Sequence, residues 1–532
     1  MAIPEVKSRV NPFRLSRDIN LDPNSRHALY VAKDWIDACS QTHERCISRR
    51  TDFHPSRLIQ LAEDVTQGVR LYTPTHPVKY AALSYCWGST PQASTNTSNV
   101  ASRFTHLDPS LLPKTLQDAL FVADKLGLGY IWIDSLCIVQ DDQSDWSNES
   151  SKMADVYSNA HVVLAAAYPE DCAQGFLSPY KVPLTVKTKT SANKPFEVHA
   201  RRNNTHDCKL EEHRDKYAIF ERGWCMQERL LARRILYFLP DEIHFECQEE
   251  KLCECDAVHV LHSKPTNIDV EINDYQSAIG ATSSFRLLQA QTSTDALLPM
   301  HFGYLWASLV QNFSKLSLTY KEDALPALSG LAHGVLHLKP GDYLAGLWER
   351  DIAFQLGWRP HNRSWSQDSL SSEPSFSWVV SPNRVDFWSF SVRFSASSFV
   401  PVCTLESSDI RLATANPYGQ VLAGSNIRLR GHFALGRQVT LVGQQSTVWI
   451  DNSPGFSTRP ELSISDWGSK IVFGLYEWEQ QEQGKRSPLR FINCLLLQQR
   501  GVGNEHVRIG VIDKVPVSLF NQVAREGSFT VT

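Results

Sequence analysis

The chain has 532 residues, 42% hydrophobic and 21% charged, the balance of an ordinary globular protein, and it is too long for one core, since cores stop growing at about 250–300 residues. Its formal net charge of −4 excludes broad electrostatic attraction to nucleic acid or to an anionic membrane. Residues 1–18 hold no apolar stretch, and the longest apolar run, 162–168, is far short of the ~18–20 residues that span a bilayer. The expectation is a cytoplasmic protein with no membrane span, whose twelve scattered cysteines are reduced thiols.

Residues 24–39 predict an amphipathic helix. Leu29, Ala32, Ile36 and Cys39 recur at helical spacing, with Asn24 or Ser25 as N-cap. Residues 81–87 read as a buried strand stopped by Gly88-Ser89-Thr90-Pro91. Pro113 opens a helix whose apolar face is Leu116, Leu120, Ala123 and Leu126, with Gly127 just past its end. Tyr130 to Ile133 is an apolar strand ending at Asp134. A second helix is expected to start at Asp145 as N-cap and to carry Trp146, Met153, Tyr157 and Ala160 on one face. Residues 161–167 form the next strand. Strand and helix in alternation predict a parallel sheet covered by helices. Function in such sheets gathers at the carboxyl ends of the strands, here Tyr85-Cys86-Trp87 and Asp134-Ser135-Leu136-Cys137.

Residues 170–220 read as irregular. Arg222-Gly223-Trp224 leads into a helix through Leu231, and a hairpin pairs 234–239 with 242–247 around Pro240-Asp241. Residues 256–300 read as loosely structured and 301–355, including 344–348, as helical. The Ser-rich stretch 363–375 reads as a linker. Short alternating strands follow at 376–380, 427–429, 447–450, 470–475, 491–497 and 507–512. The expected organisation is an N-terminal segment 1–74, an α/β domain 75–255, a mainly helical region 256–362, the linker 363–375 and a β-rich domain 376–532.

Several blocks resemble those of the heterokaryon-incompatibility (HET) domain family. They are Tyr80-Ala81-Ala82-Leu83-Ser84-Tyr85-Cys86-Trp87-Gly88, Leu112-Pro113-Lys114-Thr115-Leu116-Gln117-Asp118-Ala119, Tyr130-Ile131-Trp132-Ile133-Asp134-Ser135-Leu136-Cys137-Ile138, Asp145-Trp146 with Tyr157-Ser158-Asn159-Ala160, and Arg222-Gly223-Trp224-Cys225-Met226-Gln227-Glu228-Arg229. Trp35 with Cys39, His43 and Cys46 resembles the approach segment of such proteins. The resemblance implies a fungal self/non-self recognition protein, some of whose relatives trigger cell death and others of which accompany secondary metabolism. The HET fold is in turn similar to that of Toll/interleukin-receptor (TIR) domains, some of which hydrolyse NAD. Trp224-Cys225-x-x-Glu228 has the spacing of the TIR helix that carries a catalytic glutamate.

On that resemblance Glu228 is the candidate catalytic carboxylate for cleaving a nicotinamide–ribose bond; its plainer role is a surface pair with Arg222, Arg229 or Arg233. Asp134, at a strand end, is the second candidate, placed to bind a ribose hydroxyl or simply to cap its loop. Tyr85 and Trp87 are candidates for stacking on a base, against core packing. Cys137, Gln140, Arg222, Trp224 and Gln227 complete the candidate substrate-binding set. Cys137 as a nucleophile lacks a His within twenty residues, so a buried thiol is its plainer role. Glu149 either faces the site or offsets Lys152.

No resident cofactor is expected, NAD entering only as a candidate substrate. No metal is assigned. Cys39-x3-His43-x2-Cys46 is a candidate zinc half-site, which Cys253 and Cys255 could complete, although neither spacing is the common Cys-x2-Cys knuckle. The chain has no G-x-S-x-G, G-x-G-x-x-G, Walker or H-E-x-x-H motif. Three functions stay open: a cell-death effector with NAD(P) glycohydrolase-like chemistry, a non-catalytic module acting by self-association or with an incompatibility partner protein, and an enzyme of a biosynthetic pathway.

Overall fold

The computed structural model describes residues 22–47, 52–62, 68–91, 93–180, 184–189, 193–200, 217–255, 259–261, 281–290, 301–361, 373–381, 384–387, 399–438, 447–450, 470–480, 489–500 and 503–532. The chain divides into two compact units, Met1–Ser263 and Lys264–Thr532. No helix among the described residues is long and apolar enough to cross a membrane.

The first unit is built on a nine-stranded mixed sheet. Its strands are β1 (Leu58–Leu61), β2 (Val69–Tyr72), β3 (Ala81–Ser84), β4 (Tyr130–Trp132), β5 (Val162–Ala166), β8 (Arg234–Phe238), β9 (Ile243–Cys247), β10 (Glu250–Cys253) and β11 (His259–Leu261). The pair β6 (Leu184–Lys189) and β7 (Pro195–Ala200) forms a separate hairpin inside the segment read as irregular. The sheet order is β11-β10-β9-β8-β5-β3-β4-β1-β2. The middle four strands, β4, β3, β5 and β8, run parallel. All of β3 and β5 is buried, as parallel strands covered on both faces require. In chain order the parallel strands lie 2-1-3-4, a doubly wound arrangement whose crevice opens where the order reverses, between β3 and β5.

The helices of this unit are α1 (Arg26–Thr42), the short α2 (Val100–Arg103), α3 (Lys114–Lys125), the single turn α4 (Asp134–Cys137), α5 (Gln143–Asn159) and α6 (Gly223–Leu231). Ser25 caps α1 by accepting from the Ala28 amide at 3.1 Å. Helix α3 buries Leu116, Leu120 and Ala123. It closes at Gly127 (φ +76°), whose left-handed backbone lets the Leu128 amide return to Ala123 O at 2.9 Å. Helix α5 starts earlier than expected. Its N-cap is Asp142, which accepts from the Ser144 and Asp145 amides; the Asp145 carboxylate is instead engaged by Arg57 and the Val139 amide.

The second unit combines helices His301–Phe313 and Ala324–Gly334 with an eight-stranded sheet. Its longest strands, Lys470–Gln480, Leu489–Gln499 and Glu505–Pro516, pair antiparallel in that order. Val472, Ile492, Cys494, Leu496 and Ile512 form a core there. Arg508 lies 3.5 Å over the Trp358 ring and donates to Leu356 O at 2.6 Å. Three expectations change in this unit. Helix Ala281–Ala290 forms inside the stretch read as loose. Residues 344–348 are not helical: Tyr343–Leu344 pairs with Leu347–Trp348 around Ala345 (φ +50°) and Gly346 (φ +95°), a tight turn that a helical period cannot contain. Residues 376–380 are not a strand but end in a 3-10 turn, Trp378–Val380, capped by Ser377. Of the expected linker, only residues 373–375 are described.

Candidate functional site

Strand β3 ends at Ser84, and Tyr85-Cys86-Trp87 continue past the sheet edge before Gly88 turns the chain with φ +74°. A Cβ on Gly88 would sit 2.5 Å from the Asp171 Cα, so only glycine fits this turn. The Asp171 carboxylate holds the loop from the other side by accepting from the Ser89 and Thr90 amides at 2.8 and 2.9 Å. Strand β4 ends beside β3, and α4 begins directly at Asp134. The two strand ends are tied to each other. Trp87 Nε1 donates to Asp134 Oδ2 at 2.9 Å, and the Tyr85 hydroxyl donates to Ser135 Oγ at 3.0 Å. The Asp134 Oδ1 accepts from the Ser135 amide at 2.7 Å.

Helix α6 brings the third component. Arg222 stands at its N-cap and Gly223 is buried at its first position. One turn further, Cys225 donates weakly to Tyr85 O (3.9 Å). Glu228 is 4% exposed, and its Oε2 accepts a hydrogen bond from the Ser84 hydroxyl. Burial pushes the Glu228 carboxyl up to about 7; the Ser84 bond and Arg222 oppose the rise, and the Asp134 charge adds to it. Burial also raises Asp134, against the Trp87 and Ser135 hydrogen bonds and the Arg222 charge. For Arg222, burial works against the charged form, but Cys225, Cys86, Glu228 and Asp134 together outweigh it and its pKa rises. Burial pushes the Cys86 thiol up to about 11. The cluster is thus two carboxylates, both with raised pKa, beside one half-buried guanidinium, walled by Tyr85 and by the half-buried Trp87.

The structure brings together Glu228, Asp134, Arg222, Tyr85 and Trp87. Glu228 is not the surface residue of its plainer reading. Trp224 is half-buried against the same hydrophobic core, and Gln227 is fully buried. Cys137 is 0% exposed, and burial pushes its thiol up to about 12. His161 precedes β5, at the amino end of the sheet, and so lies at the wrong end to serve Cys137 as a base. Gln140 clamps the loop, its amide donating to Asp134 O at 3.1 Å and Ile138 O at 3.3 Å. Glu149 is buried and pairs with Lys152 at 3.3 Å.

The loop after β4 is held by a residue that sequence patterning missed. Arg57 donates from Nε to Cys137 O at 2.6 Å and from Nη2 to Asp145 Oδ2 at 2.5 Å, and the same Oδ2 accepts from the Val139 amide at 2.8 Å. Ser84 was also missed. Its signal is a hydroxyl at the end of an otherwise apolar strand, a position where a buried polar group needs a partner. Asp118, inside the Pro113-Lys114-Thr115 block, is buried and accepts from the Phe176 and Leu177 amides at 2.8 and 3.1 Å. That bond fixes the segment after Asp171 against α3.

The candidate zinc half-site stands apart, beside β9. Cys39, His43 and Cys46 gather with Cys247, whereas Cys253 and Cys255 group with Glu242. Cys253 pairs with His244, three residues along β9 from Cys247, a distance of about 10 Å in an extended strand. The expected completion of the half-site by Cys253 and Cys255 is therefore replaced by Cys247. The eleven described cysteines are all free thiols; Cys208 lies outside the described residues.

Residues 80–228 match the family model described as Heterokaryon incompatibility protein (HET). The match opens at Tyr80, just before β3, and closes at Glu228 on α6, so it encloses Tyr85, Trp87, Asp134, Arg222 and Glu228 and leaves Cys39, His43, Cys46 and Cys247 outside. Neither the curated proteins nor the solved structures compared with the chain give a match. The chain carries a heterokaryon-incompatibility (HET) domain at residues 80–228.

Proposed function

We propose that the HET domain cleaves the N-glycosidic bond of NAD or a related nucleotide, and that this chemistry serves a cell-death response in self/non-self recognition. The observation that carries the reading is Glu228, a buried carboxylate held up to about 7 beside Asp134 and Arg222 at the carboxyl edge of a parallel sheet. Perturbed acids with a specific charge partner at such an edge are the hallmark of chemical work. The Trp224-Cys225-x-x-Glu228 spacing, similar to that of the TIR catalytic helix, points the same way.

In this reading the bond between ribose C1′ and the nicotinamide nitrogen breaks, and neutral nicotinamide leaves with the electron pair. The oxocarbenium-like centre is stabilised by ionised Glu228. Water adds to C1′ and gives its proton to that carboxylate, so the products are ADP-ribose, nicotinamide and one proton. Asp134 accepts from a ribose hydroxyl, Arg222 meets phosphate oxygens, and Tyr85 and Trp87 flank the base.

The experiment is incubation of the purified chain with NAD, NADP and a nucleotide panel, with products followed by mass spectrometry. Nicotinamide release that disappears in Glu228→Gln supports the reading. A folded protein that leaves every nucleotide intact, yet still triggers cell death, replaces it with an assembly module. Turnover of a different small molecule at the same cluster assigns the site to a biosynthetic enzyme.

A further inference from the structure

Four metal-binding side chains converge where α1 meets the sheet. The Cys39, His43, Cys46 and Cys247 donor atoms all lie within 4.8 Å of one another. His43 Nδ1 and Cys247 Sγ are 3.3 Å apart although 204 residues separate them in the chain. Four ligands at about 2.0–2.3 Å around one tetrahedral centre stand about 3.5–3.8 Å from each other, so the cluster already has nearly the right span. We propose that Cys39, His43, Cys46 and Cys247 bind one structural Zn²⁺ ion that pins α1 to strand β9.

The surroundings match such an ion. Three thiolates and a neutral imidazole around Zn²⁺ carry a net charge of −1. Arg234 is 4% exposed, and its contacts among the described residues are Cys39 Sγ at 3.2 Å, Cys46 O at 3.2 Å and His161 O at 3.3 Å. A buried guanidinium needs negative charge near it, and among the described residues no carboxylate pairs with it. The thiolate–zinc group supplies that charge through Cys39. The other nitrogen of the imidazole, His43 Nε2, faces Glu250 Oε2 at 3.7 Å, the carboxylate-to-histidine arrangement that orients metal-ligating imidazoles. The Glu249 amide donates to Cys247 Sγ at 3.4 Å, as backbone amides do to metal-bound sulfur. All three cysteines are buried, so the four-ligand set is closed and leaves no position for substrate water.

The ligands come from the end of α1, from the 3-10 turn Glu44–Cys46 and from the last residue of β9. Helix α1 lies outside the HET match, and β9 follows it. The ion would therefore clasp the two flanks of the HET domain to each other across its sheet. The Glu242, Cys253 and Cys255 group offers three ligands and serves as an internal control.

The test is metal content of the full chain produced with added Zn²⁺ and passed through a desalting column. One zinc per chain is expected. X-ray absorption at the zinc edge should show three sulfurs at about 2.3 Å and one nitrogen at about 2.0–2.1 Å. Cys247→Ser and His43→Ala should lower zinc retention, and Cys253→Ser should keep one zinc. A folded chain without stoichiometric zinc overturns the proposal. So do zinc lost in Cys253→Ser but kept in Cys247→Ser, or a ligand shell of oxygen and nitrogen alone. If the ligand variants do not fold, the absorption spectrum of the unaltered protein decides the question alone.

Discussion

The Ser84 hydroxyl donates to the Glu228 carboxylate and so joins the end of β3 to helix α6 across 144 positions of chain. That bond sits at the turning point of the sheet and holds an acid whose pKa is moved into the neutral range. Losing the carboxylate in Glu228→Gln should lower nucleotide cleavage at least ~100-fold, the scale of a lost acid–base group, with the fold intact by circular dichroism. Ser84→Ala removes a hydrogen bond that holds the Glu228 pKa down. Its activity should persist at high pH while its acid limb moves upward. An unmoved limb would show that Ser84 does not tune Glu228.

The same residue predicts a stability profile. Glu228 has a folded pKa of about 7 against 4.5 ordinarily, so between these values the folded state holds a proton that the unfolded state has released. The stabilising contribution is complete below the ordinary value and is lost as pH rises through about 7. Above that, the buried ionised carboxylate costs on the order of 3 kcal/mol relative to its neutral form. Glu228→Gln cannot ionise. Thermal denaturation should find it equal to the unaltered protein near pH 4 and more stable at about pH 8. Equal melting temperatures at both values would mean that Glu228 does not titrate in this range.

Asp145, inside the HET match, and Arg57, before it, form a second, structural relationship. The half-buried pair, with the Val139 amide on the same oxygen, fixes the loop that carries Asp134. Asp145→Asn leaves the guanidinium without its anion and should cost up to about 3–5 kcal/mol, the scale for breaking a buried pair. Urea denaturation measures it. A loss below ~0.5 kcal/mol would place the pair with ordinary surface bridges.

The parallel core was legible because β3, β4 and β5 are apolar but for the closing Ser84 of β3 and are separated by helical periods. The placement of Leu83, Ile131 and Val163 on neighbouring parallel strands follows from that alternation, whereas the register, Ala81 beside Ile131 and Ala82 beside Val163, does not. The edge strands were not: β1 and β2 have only four residues each, too few for their alternation to stand out from a loop. Asp134 and Glu228 were legible as acids within recognisable blocks. Ser84, Arg57 and Cys247 were not, because each acquires its role from a partner more than 80 residues away or, for Arg57 and Cys137, 80 residues away. The hairpin at 343–348 was misread because Leu344, Leu347 and Trp348 share the i, i+3, i+4 spacing of a helix, while Ala345 gives no outward sign of its positive φ.

Asp134 and Trp87 make the last prediction, which separates binding from chemistry. The indole Nε1 donates to Asp134 Oδ2, while Oδ1 takes the Ser135 amide. Burial raises the acid and these two bonds restrain it. An anion so held has lone pairs left for a ribose hydroxyl. A hydrogen bond from a neutral donor to a charged group contributes about 1.5–3 kcal/mol, so Asp134→Asn should raise the KM for the nucleotide about 10- to 100-fold and lower kcat far less. Trp87→Phe keeps the aromatic wall and deletes the donor, so Asp134 becomes harder to ionise. Its KM defect should be small at high pH and grow as pH falls, a dependence that loss of packing alone does not produce. Initial-rate kinetics across pH, on variants whose circular dichroism matches the unaltered protein, read both effects. If Asp134→Asn changes kcat and leaves KM untouched, Asp134 acts on the reacting bond with Glu228 and not on the ribose. If Trp87→Phe is flat with pH, the indole contributes a surface and not a proton.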